Sequence, residues 1–322
     1  MSTSKRKFTS DPTTGFGSNS KESGGRFYKK DGTTNIIKKG VNVLHRYSWY
    51  HTMLHLNSWK FLFILALGYI IINFFFAGIY YLIGIKHLQW IHTGSDFNDF
   101  LLAFFFSAQT FTTVGYGHIS PSGIGASAVA TFEAFLGLMG FALASGLFYG
   151  RFAKPQAFLK FSDMAVIAPY KGITALMLRT VPYKNNLLMD AEAKLMAAMR
   201  LDENGKEANR FYPLELEISK INALVMNWTL VHPLNENSPL YGMTIEDLKK
   251  YKTEIMIYIK AFDETFANTV IARTSYTANE IIPGAKFKFM YHPNDEGTAT
   301  ILNVHQLNEI EQVELPALVR LP

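Results

Sequence analysis

The run Thr113-Val114-Gly115-Tyr116-Gly117 has the composition of a backbone binding site rather than of a helix or a strand. Two glycines around one tyrosine weaken a helix, and a buried strand rarely contains either glycine. Glycine adopts dihedral angles that other residues avoid, so successive carbonyl groups of such a run can all point in one direction. Carbonyls arranged in this way can replace the water shell of a dehydrated cation.

Two apolar segments flank this run, and both are long enough to cross a membrane. Residues 61–85 and 126–150 each contain 25 residues, which reach about 37 Å as a helix, more than the roughly 30 Å of a bilayer's hydrocarbon core. The first segment has no charge, and the second has only Glu133. The sequence therefore predicts two transmembrane helices, because buried helices of soluble proteins rarely stay uncharged over this length.

Basic residues are concentrated before the first predicted span. Eleven Lys and Arg precede residue 61, whereas the connection between the spans contains only Lys86. Since cytoplasmic flanks carry the excess of Lys and Arg, both termini are predicted to be cytoplasmic, in a multi-pass protein of the cell's inner (plasma) membrane. The formal net charge of +5 then indicates attraction to anionic membrane lipids and not to nucleic acid.

The chain before the first predicted span divides into two parts. Residues 1–35 are rich in Ser, Thr, Gly and Lys without an apolar period, so we expect a disordered tail. Residues 36–60 form a cytoplasmic segment, in which residues 46–60 place apolar and polar side chains on opposite faces of a helix. This pattern favours an amphipathic helix at the membrane surface, and a short linker helix packed on protein is the alternative.

Residues 96–110 predict a shorter apolar helix between the spans. It is too short to cross a bilayer, and it has the length of a re-entrant pore helix. The partial negative charge at its C-terminal end favours a cation beyond it, next to residues 113–117. TVGYG is itself the known sequence of a potassium selectivity filter, so this assignment recognises a motif and does not derive one. Potassium is expected at residues 113–116, and four chains are needed to complete the pore.

The C-terminal half, residues 151–322, contains short β-rich segments separated by turn residues. Such spacing is typical of an all-β sandwich of immunoglobulin-like type. No Rossmann glycines, nucleotide-binding loop or set of catalytic groups can be recognised in the sequence, so neither a cofactor nor an enzyme activity is expected. The predicted fold is a membrane α domain, with two spans and a pore helix, followed by a cytoplasmic β-sandwich.

Four longer motifs indicate which family of potassium channels the sequence resembles. They are FFFSAQTFTTVGYGHISP, TFEAFLGLMGFALASGLFYGRFAKP, WTLVHPLNENSPLYGMT and TVIARTSYTANEIIPG. The filter is common to many potassium channels, whereas RFAKP, NENSPLYG and ARTSY in this order are more specific. From about residue 47 to about residue 292, the sequence resembles the inward-rectifier potassium channel family, in particular its prokaryotic branch, often called KirBac.

The resemblance implies roles for residues of the pore. It gives residues 113–117 as the filter, the surface helix before residue 60 as a slide helix, and Tyr149 as the narrow point where the inner helices cross. Phe141, two turns above, would line the cavity. Tyr149 as an aromatic anchor at the membrane interface is the alternative. Three glycines of the second span allow either helix bending or close packing, namely Gly137, Gly140 and Gly146.

The resemblance also bears on the charged positions. Glu133 is expected to form hydrogen bonds behind the filter, where Gln109 replaces a glutamate found in many family members. Asp190 matches an acid that lines the cytoplasmic pore, and a solvated strand residue is the alternative. Arg151 and Lys154 would attract anionic lipid, or would only set the topology. Because Phe141 stands where strong rectifiers have an acid, weak rectification is expected.

Two other classes of protein remain as alternatives. A membrane-anchored cytoplasmic binding protein could combine two spans with an immunoglobulin-like domain, but it would leave the filter sequence unexplained. A larger potassium transporter contains several degenerate filter loops in one chain, whereas this chain has one complete copy.

Overall fold

The computed structural model describes residues 8–11, 15–16, 25–40, 48–89, 95–203 and 206–316. The chain forms two compact units, which we name the helical unit and the β unit. The helical unit comprises Lys39–Lys154, and the β unit comprises Met1–Lys38 together with Pro155–Pro322. The predicted boundary near residue 150 therefore lies a few residues before the point at which the two units separate.

In the part of the helical unit that the structure describes, there are four α-helices and a short two-stranded sheet. The helices are α1 (Trp49–His55), α2 (Ser58–Ile83), α3 (Asp96–Phe111) and α4 (Ile124–Phe152), and β1 (Leu88–Gln89) pairs antiparallel with β2 (Ser120–Pro121). Helices α2 and α4 are long and apolar enough to cross a membrane. They extend the predicted spans by two or three residues at most ends. The predicted surface helix is shorter than expected, and its first two residues, 46 and 47, lie outside the described residues.

Helix α3 packs against both α2 and α4. Apolar side chains of all three helices, of β1 and of the residue before β2 form the core of this unit, namely Phe76, Ala77, Tyr80, Leu88, Ala103, Phe106, Ile119 and Ala130. Other large apolar side chains of α2 and α4 are exposed on this chain, including Phe63, Ile71, Phe75 and Phe135. An apolar exterior of this kind is what lipid or further copies of the chain would cover.

Gly137 lets α3 and α4 approach closely. A Cβ atom at Gly137 would lie 1.8 Å from the carbonyl oxygen of Phe111, whereas a Cβ at Gly140 would be 3.4 Å from the ring of the same residue. A Cβ at Gly146 would meet no atom within 4 Å. The sequence left bending and packing open for these glycines, and in this structure packing accounts for Gly137.

The β unit is a sandwich of two five-stranded sheets. The strands of the two sheets are β3 (Leu159–Phe161), β4 (Ala165–Tyr170), β5 (Ile173–Pro182), β6 (Leu188–Glu203), β7 (Lys206–Leu214), β8 (Lys220–Leu224), β9 (Trp228–Pro233), β10 (Glu254–Asp263), β11 (Asn268–Thr277) and β12 (Ile281–Pro283). One sheet has the order β11-β10-β6-β7 with β8 beside β6, and the other has the order β12-β4-β5-β3 with β9 beside β5. Neighbouring strands are antiparallel except β12 and β4, which are parallel.

Further elements complete this unit. They are α5 (Ile245–Lys250) and two antiparallel strand pairs, β13 (Ala285–Phe287) with β16 (Ile310–Gln312), and β14 (Tyr291–Pro293) with β15 (Thr300–Leu302). The main core contains buried side chains of both large sheets, such as Leu178 and Leu230 of one and Leu195 and Ile257 of the other. Apolar residues on the facing sides of two sheets bury each other, which accounts for the sandwich.

Residues 25–35, which we name the N-terminal arm, differ from the disordered tail that the sequence predicted. Tyr28 and Thr34 form an antiparallel bridge, and the Glu254 carboxylate accepts hydrogen bonds from the amides of Phe27 (2.6 Å) and Tyr28 (3.1 Å). Arg26 lies 3.2 Å from Glu280. The arm is polar in sequence, but its partners are residues far along the chain that a local apolar period does not reveal. Residues 1–7, 12–14 and 17–24 of the predicted tail lie outside the described residues.

Candidate functional site

The backbone of residues 113–117, which we name the filter run, alternates between positive and negative φ. Thr113, Gly115 and Gly117 have φ values of 58°, 51° and 78°, whereas Val114 and Tyr116 between them have negative φ. Inverting the handedness at every second residue turns successive carbonyls toward the same side of the chain. The sequence pointed to the two glycines. It did not point to Thr113, because a β-branched residue at positive φ is rare.

The amide groups of this run are held by the end of the pore helix. The amide of Thr113 donates to the carbonyl of Thr110 at 3.0 Å, and the amides of Val114 and Gly115 donate to the carbonyl of Gln109 at 3.0 and 3.3 Å. Gln109 thus supports the filter through its backbone. Among the described residues, no backbone amide donates a hydrogen bond to the carbonyls of residues 113–116. These carbonyls remain available to a ligand, beside the negative end of the helix dipole.

The filter run is not covered by its own chain. The side chains of Val114 and Tyr116 are 53% and 78% exposed, and a Cβ at Gly115 or Gly117 would meet no atom within 4 Å. Exposed non-helical backbone at membrane depth is unstable unless protein buries it or it lines a water-filled path. The run therefore needs walls from outside this chain.

Glu133 is buried between α2, α3 and α4. Its carboxylate accepts a hydrogen bond from the Tyr80 hydroxyl at 2.6 Å and another, short one from the Ser107 hydroxyl. The Ser107 hydroxyl also lies 2.9 Å from Oδ1 of Asn73, whose side-chain amide donates to the Tyr69 carbonyl at 2.6 Å. Glu133, Ser107 and Asn73 are each 0% exposed. This cluster therefore joins the pore helix to both long helices.

The partners of Glu133 were missed by the sequence analysis. Asn73 and Tyr80 lie seven residues apart in an otherwise apolar helix, so both lie on the same face two turns apart. Polar groups within a span commonly pair with one another. That spacing is the signal that could have identified them.

Phe141 and the base of the filter line one depression in the helical unit. The depression has a volume of 790 Å³, and Thr112, Thr113 and Phe141 are among its lining residues. Phe141 and Tyr149 are 73% and 76% exposed on this chain, and eight residues of helix return them to nearly the same face. The structure thus groups Phe141 with the filter, and it leaves Tyr149 uncovered on the same helix.

Arg151 holds the C-terminal end of α1. Its two Nη atoms donate to the carbonyls of Met53 (2.7 Å) and Leu56 (2.8 Å), and its guanidinium lies 4.5 Å from the ring centre of Phe61. Cations near a helix C-terminus stabilise the last carbonyls. The sequence suggested that Arg151 attracts lipid or sets the topology, and its local pattern gave no sign of this protein contact.

Lys154 follows Arg151 on the same side of the unit. Its Nζ atom lies 2.6 Å from Nε2 of His55, whose Nδ1 contacts the carbonyl of His51 at 2.7 Å. With Nδ1 as the donor to that carbonyl, Nε2 is left to accept from the ammonium group, as neutral imidazole does. Lys154 therefore adds a second contact between the end of α4 and α1.

Asp190 lies on strand β6 of the β unit, with a φ of 48°. Its carboxylate is 3.2 Å from Nζ of Lys220 on β8, and both side chains are more than half exposed. The sequence predicted an acid that lines the cytoplasmic pore at this position, with a solvated strand residue as the alternative, and it did not indicate a basic partner. The basic partner lies on β8, which is separated from β6 along the chain by the whole of β7, so spacing alone could not reveal it.

The described residues contain no group of three or more His, Asp or Glu that could hold a metal ion. A cation was expected from the sequence at the carbonyls of residues 113–116, which have the type of oxygen ligand that potassium filters use.

Sequence comparisons agree with this arrangement. The family model described as "Inward rectifier potassium channel C-terminal domain" matches residues 159–320, and the one described as "Ion channel" matches residues 63–153. The chain is 33% identical over 293 residues to the inward rectifier potassium channel Kirbac3.1 of Paramagnetospirillum magnetotacticum, covering 89% of this chain and 96% of that protein.

A more distant relative comes from an animal. The chain is 28% identical over 290 residues to G protein-activated inward rectifier potassium channel 2 of Pongo abelii, covering 81% of this chain and 67% of that protein. Among solved structures, Spo0M, a sporulation control protein from Bacillus subtilis, has a TM-score of 0.22 and 7% identity over 38% of this chain and 49% of that chain. A likeness this low carries no argument.

Proposed function

Because the chain belongs to the inward-rectifier potassium channel family, in its prokaryotic branch, we propose that four copies form a potassium-selective channel. Members of this family are channels and not enzymes. Potassium would shed its water shell and pass along the carbonyls of residues 113–116. The observation that carries the proposal is the alternating φ of the filter run, with the amides of residues 113–115 bonded to the end of the pore helix and, among the described residues, no backbone amide bonded to the carbonyls of residues 113–116.

A homotetramer follows from the incompleteness of one chain. A single filter run offers carbonyls from one side only, whereas a dehydrated cation needs oxygens all around it. Four copies around one axis would supply them, and would also cover Val114 and Tyr116. The exposed apolar side chains of α2 and α4 would then contact other copies or lipid.

The lower part of the path would be gated at α4. Phe141 would line the cavity below the filter, and Tyr149 would form the narrow point where four α4 helices cross. Arg151, in the last turn of α4, contacts the C-terminal end of α1, so α1 lies beside that turn. Movement of α1 along the membrane surface would therefore act on the helix that carries Tyr149. The β unit would lie in the cytoplasm with both termini and extend the ion path.

Rectification by this channel would be weak. A multivalent cation that enters an apolar cavity loses hydration. A ring of phenylalanines at position 141 offers no negative charge to compensate for that loss. The variant Phe141→Asp should therefore introduce steep, voltage-dependent block by internal spermine. Current would be recorded against voltage in planar bilayers, with and without spermine. Steep block in the wild type, or no block in the variant, would show that Phe141 does not line the cavity.

Anionic lipid would bind near the end of α4. The ammonium of Lys154 contacts a histidine ring, whereas the guanidinium of Arg151 is engaged by backbone carbonyls. Residues 156 and 157 are Gln and Ala, so the basic run stops after the proline. We therefore expect anionic lipid to bind without strong activation by phosphoinositide. A large rise in flux when phosphoinositide is added to neutral liposomes would contradict this.

The decisive experiment is a flux measurement on purified protein in liposomes. A potassium gradient should drive uptake of a potassium tracer, and an equal sodium gradient should not. Native mass spectrometry should give four times the chain mass of 36.4 kDa. Equal sodium and potassium flux, or a protein that stays monomeric while it conducts, would overturn the proposal.

A further inference from the structure

The exposed face around Asp190 is not an acidic surface. Glu192 lies on the same strand, and its direct cross-strand neighbours are Lys260 on β10 and Lys220 on β8. Lys194 lies 3.6 Å from Glu192. We name these five residues the charged strip; they are Asp190, Glu192, Lys194, Lys220 and Lys260. Three positive and two negative charges give the charged strip a net charge of +1.

A β-bulge places Asp190 on this face. On β10, Lys260 pairs with Glu192 and Phe262 pairs with Met189, so β6 contains one residue more than β10 over this stretch. Met189 and Asp190 are consecutive exposed residues, whereas buried and more exposed residues alternate along the strand after them. The positive φ of Asp190 belongs to this extra residue. Bulges re-aim side chains in this way, and here the carboxylate reaches toward Lys220.

We propose that Lys220 is a specificity-determining residue that cancels the charge of Asp190 toward multivalent cations. The inference rests on the proposed function, in which the β unit extends the ion path, and on the expectation that Asp190 lines this cytoplasmic path. Lys220 pairs across strands with Glu192, yet its ammonium lies 3.2 Å from the carboxylate of Asp190. Asp190 therefore has a basic partner in every chain, and four Asp190–Lys220 pairs together form a ring without net charge.

Lys220 would act on multivalent cations through its electrostatic field, and not through the strength of its ion pair with Asp190. An exposed pair contributes little to stability, and both side chains here are more than half exposed. A ring of fixed charges around a narrow path nevertheless raises or lowers the local concentration of ions, and a polyamine with several charges responds more than potassium does. Lys220 would thus lower polyamine accumulation while leaving potassium selectivity to the filter.

The test is a charge cycle on the intact channel in planar bilayers. Spermine would be added on the side of the β unit, and the concentration that halves the outward current would be measured. Lys220→Gln should lower that concentration by about tenfold, and Asp190→Asn should raise it. The double variant Asp190→Asn/Lys220→Gln restores a neutral pair, so its value should return toward that of the wild type.

A matched control removes the same charge elsewhere. Lys286 forms a comparable pair with Glu311, at 2.9 Å, on the separate β13–β16 sheet. Lys286→Gln should leave the spermine block unchanged. Equal shifts in Lys286→Gln and Lys220→Gln would mean that total charge matters and not the place of Lys220, and this would overturn the inference.

The remaining outcomes separate this inference from the proposed function. If Asp190→Asn weakens block and Lys220→Gln leaves it unchanged, the inference fails while the place of Asp190 in the path stands. If neither variant changes block in a potassium-selective channel, the placement of Asp190 in the path fails and the inference fails with it. Loss of potassium selectivity in the wild type would instead contradict the proposed function itself.

Discussion

Two acids, one buried in the helical unit and one half-buried in the β unit, are held in opposite ways. In the helical unit, Glu133 accepts hydrogen bonds from the hydroxyls of Tyr80 and Ser107. In the β unit, Glu280 is held by Arg26 at 3.2 Å and Lys30 at 3.5 Å, and by the amide of Thr277. Hydrogen bonds from neutral hydroxyls keep their strength only while the helices pack closely. The strength of an ion pair depends instead on charge, pH and salt.

The comparison extends beyond these two residues. The filter is shaped by φ values and by backbone hydrogen bonds, and Gly137 is needed because another backbone occupies its Cβ position. The β unit instead balances charges, in the N-terminal arm and in the charged strip. We therefore expect the helical unit to respond strongly to changes of shape, and the β unit to respond more weakly to changes of charge.

The largest effect is expected from Gly115→Ala in the filter. A side chain at positive φ costs about 1–2 kcal/mol per residue, and no neighbour within the chain opposes the added methyl group. Because four copies must hold the same conformation, the penalties add, and selective flux should fall by at least about a hundredfold. Liposome flux measures this. Gly125→Ala, outside the positive-φ region and with open space, is the control, and selective conduction by Gly115→Ala would show that the filter assignment is wrong.

The next largest effect is expected from Gly137→Ala. The added Cβ would lie 1.8 Å from the Phe111 carbonyl oxygen, so α3 and α4 must separate, at a cost of about 1–3 kcal/mol. The end of α3 carries the filter, so tetramer stability and flux should both fall. Gly146→Ala, which meets no atom within 4 Å, should keep both. If the two variants fail equally, bending and not packing explains these glycines.

A moderate effect is expected from Arg151→Lys. Lysine keeps the charge but cannot reproduce the two-pronged contact with the carbonyls of Met53 and Leu56. Hydrogen exchange at residues 53–56 should therefore rise severalfold, and gating should change. Lys154→Gln, which removes a charge but leaves Arg151 in place, should have a smaller effect on this exchange. Wild-type exchange in Arg151→Lys would favour a role in attracting lipid.

The smallest effect is expected from Glu280→Gln. Burial alone would raise the pKa of Glu280, but the hydrogen bond with Thr277 and the charges of Lys30 and Arg26 hold the pKa below its ordinary value of 4.5. A lowered folded pKa stabilises the protein above pH 4.5, and this contribution is lost as the pH falls through the folded value. The wild type should therefore exceed the variant in Tm at pH 7, by an amount worth less than about 1 kcal/mol.

The pH dependence of that difference is the measurement. Scanning calorimetry at pH 7 and well below pH 4.5 should show that the gap in Tm between the wild type and Glu280→Gln closes in acid. Glu192→Gln, whose pair with Lys194 is exposed at both ends, should show no gap at either pH. A gap for Glu280→Gln that is equal at both pH values would mean that shape, and not charge, holds the N-terminal arm.

The sequence by itself determined the features that depend on local pattern. Uninterrupted apolar runs identified α2 and α4, because a helix of that length and composition is stable in a bilayer. The TVGYG run predicted a selectivity filter, because this run is itself the known sequence of a potassium filter. Turn residues between short β-rich segments identified the sandwich. Each of these signals is read from continuous stretches of chain, without knowledge of how distant segments pack.

The tertiary structure alone decided which distant residues meet. Asn73 and Ser107 gather around Glu133, Arg151 reaches the end of α1, and Lys220 reaches Asp190 across a bulge. The N-terminal arm is ordered by Glu254 and Glu280, which lie near the opposite end of the chain. Such contacts depend on how helices and sheets pack, and polar side chains at these positions satisfy equally well the pattern of a solvated surface. The sequence could name the charged residues, but only the packed chain assigned their partners.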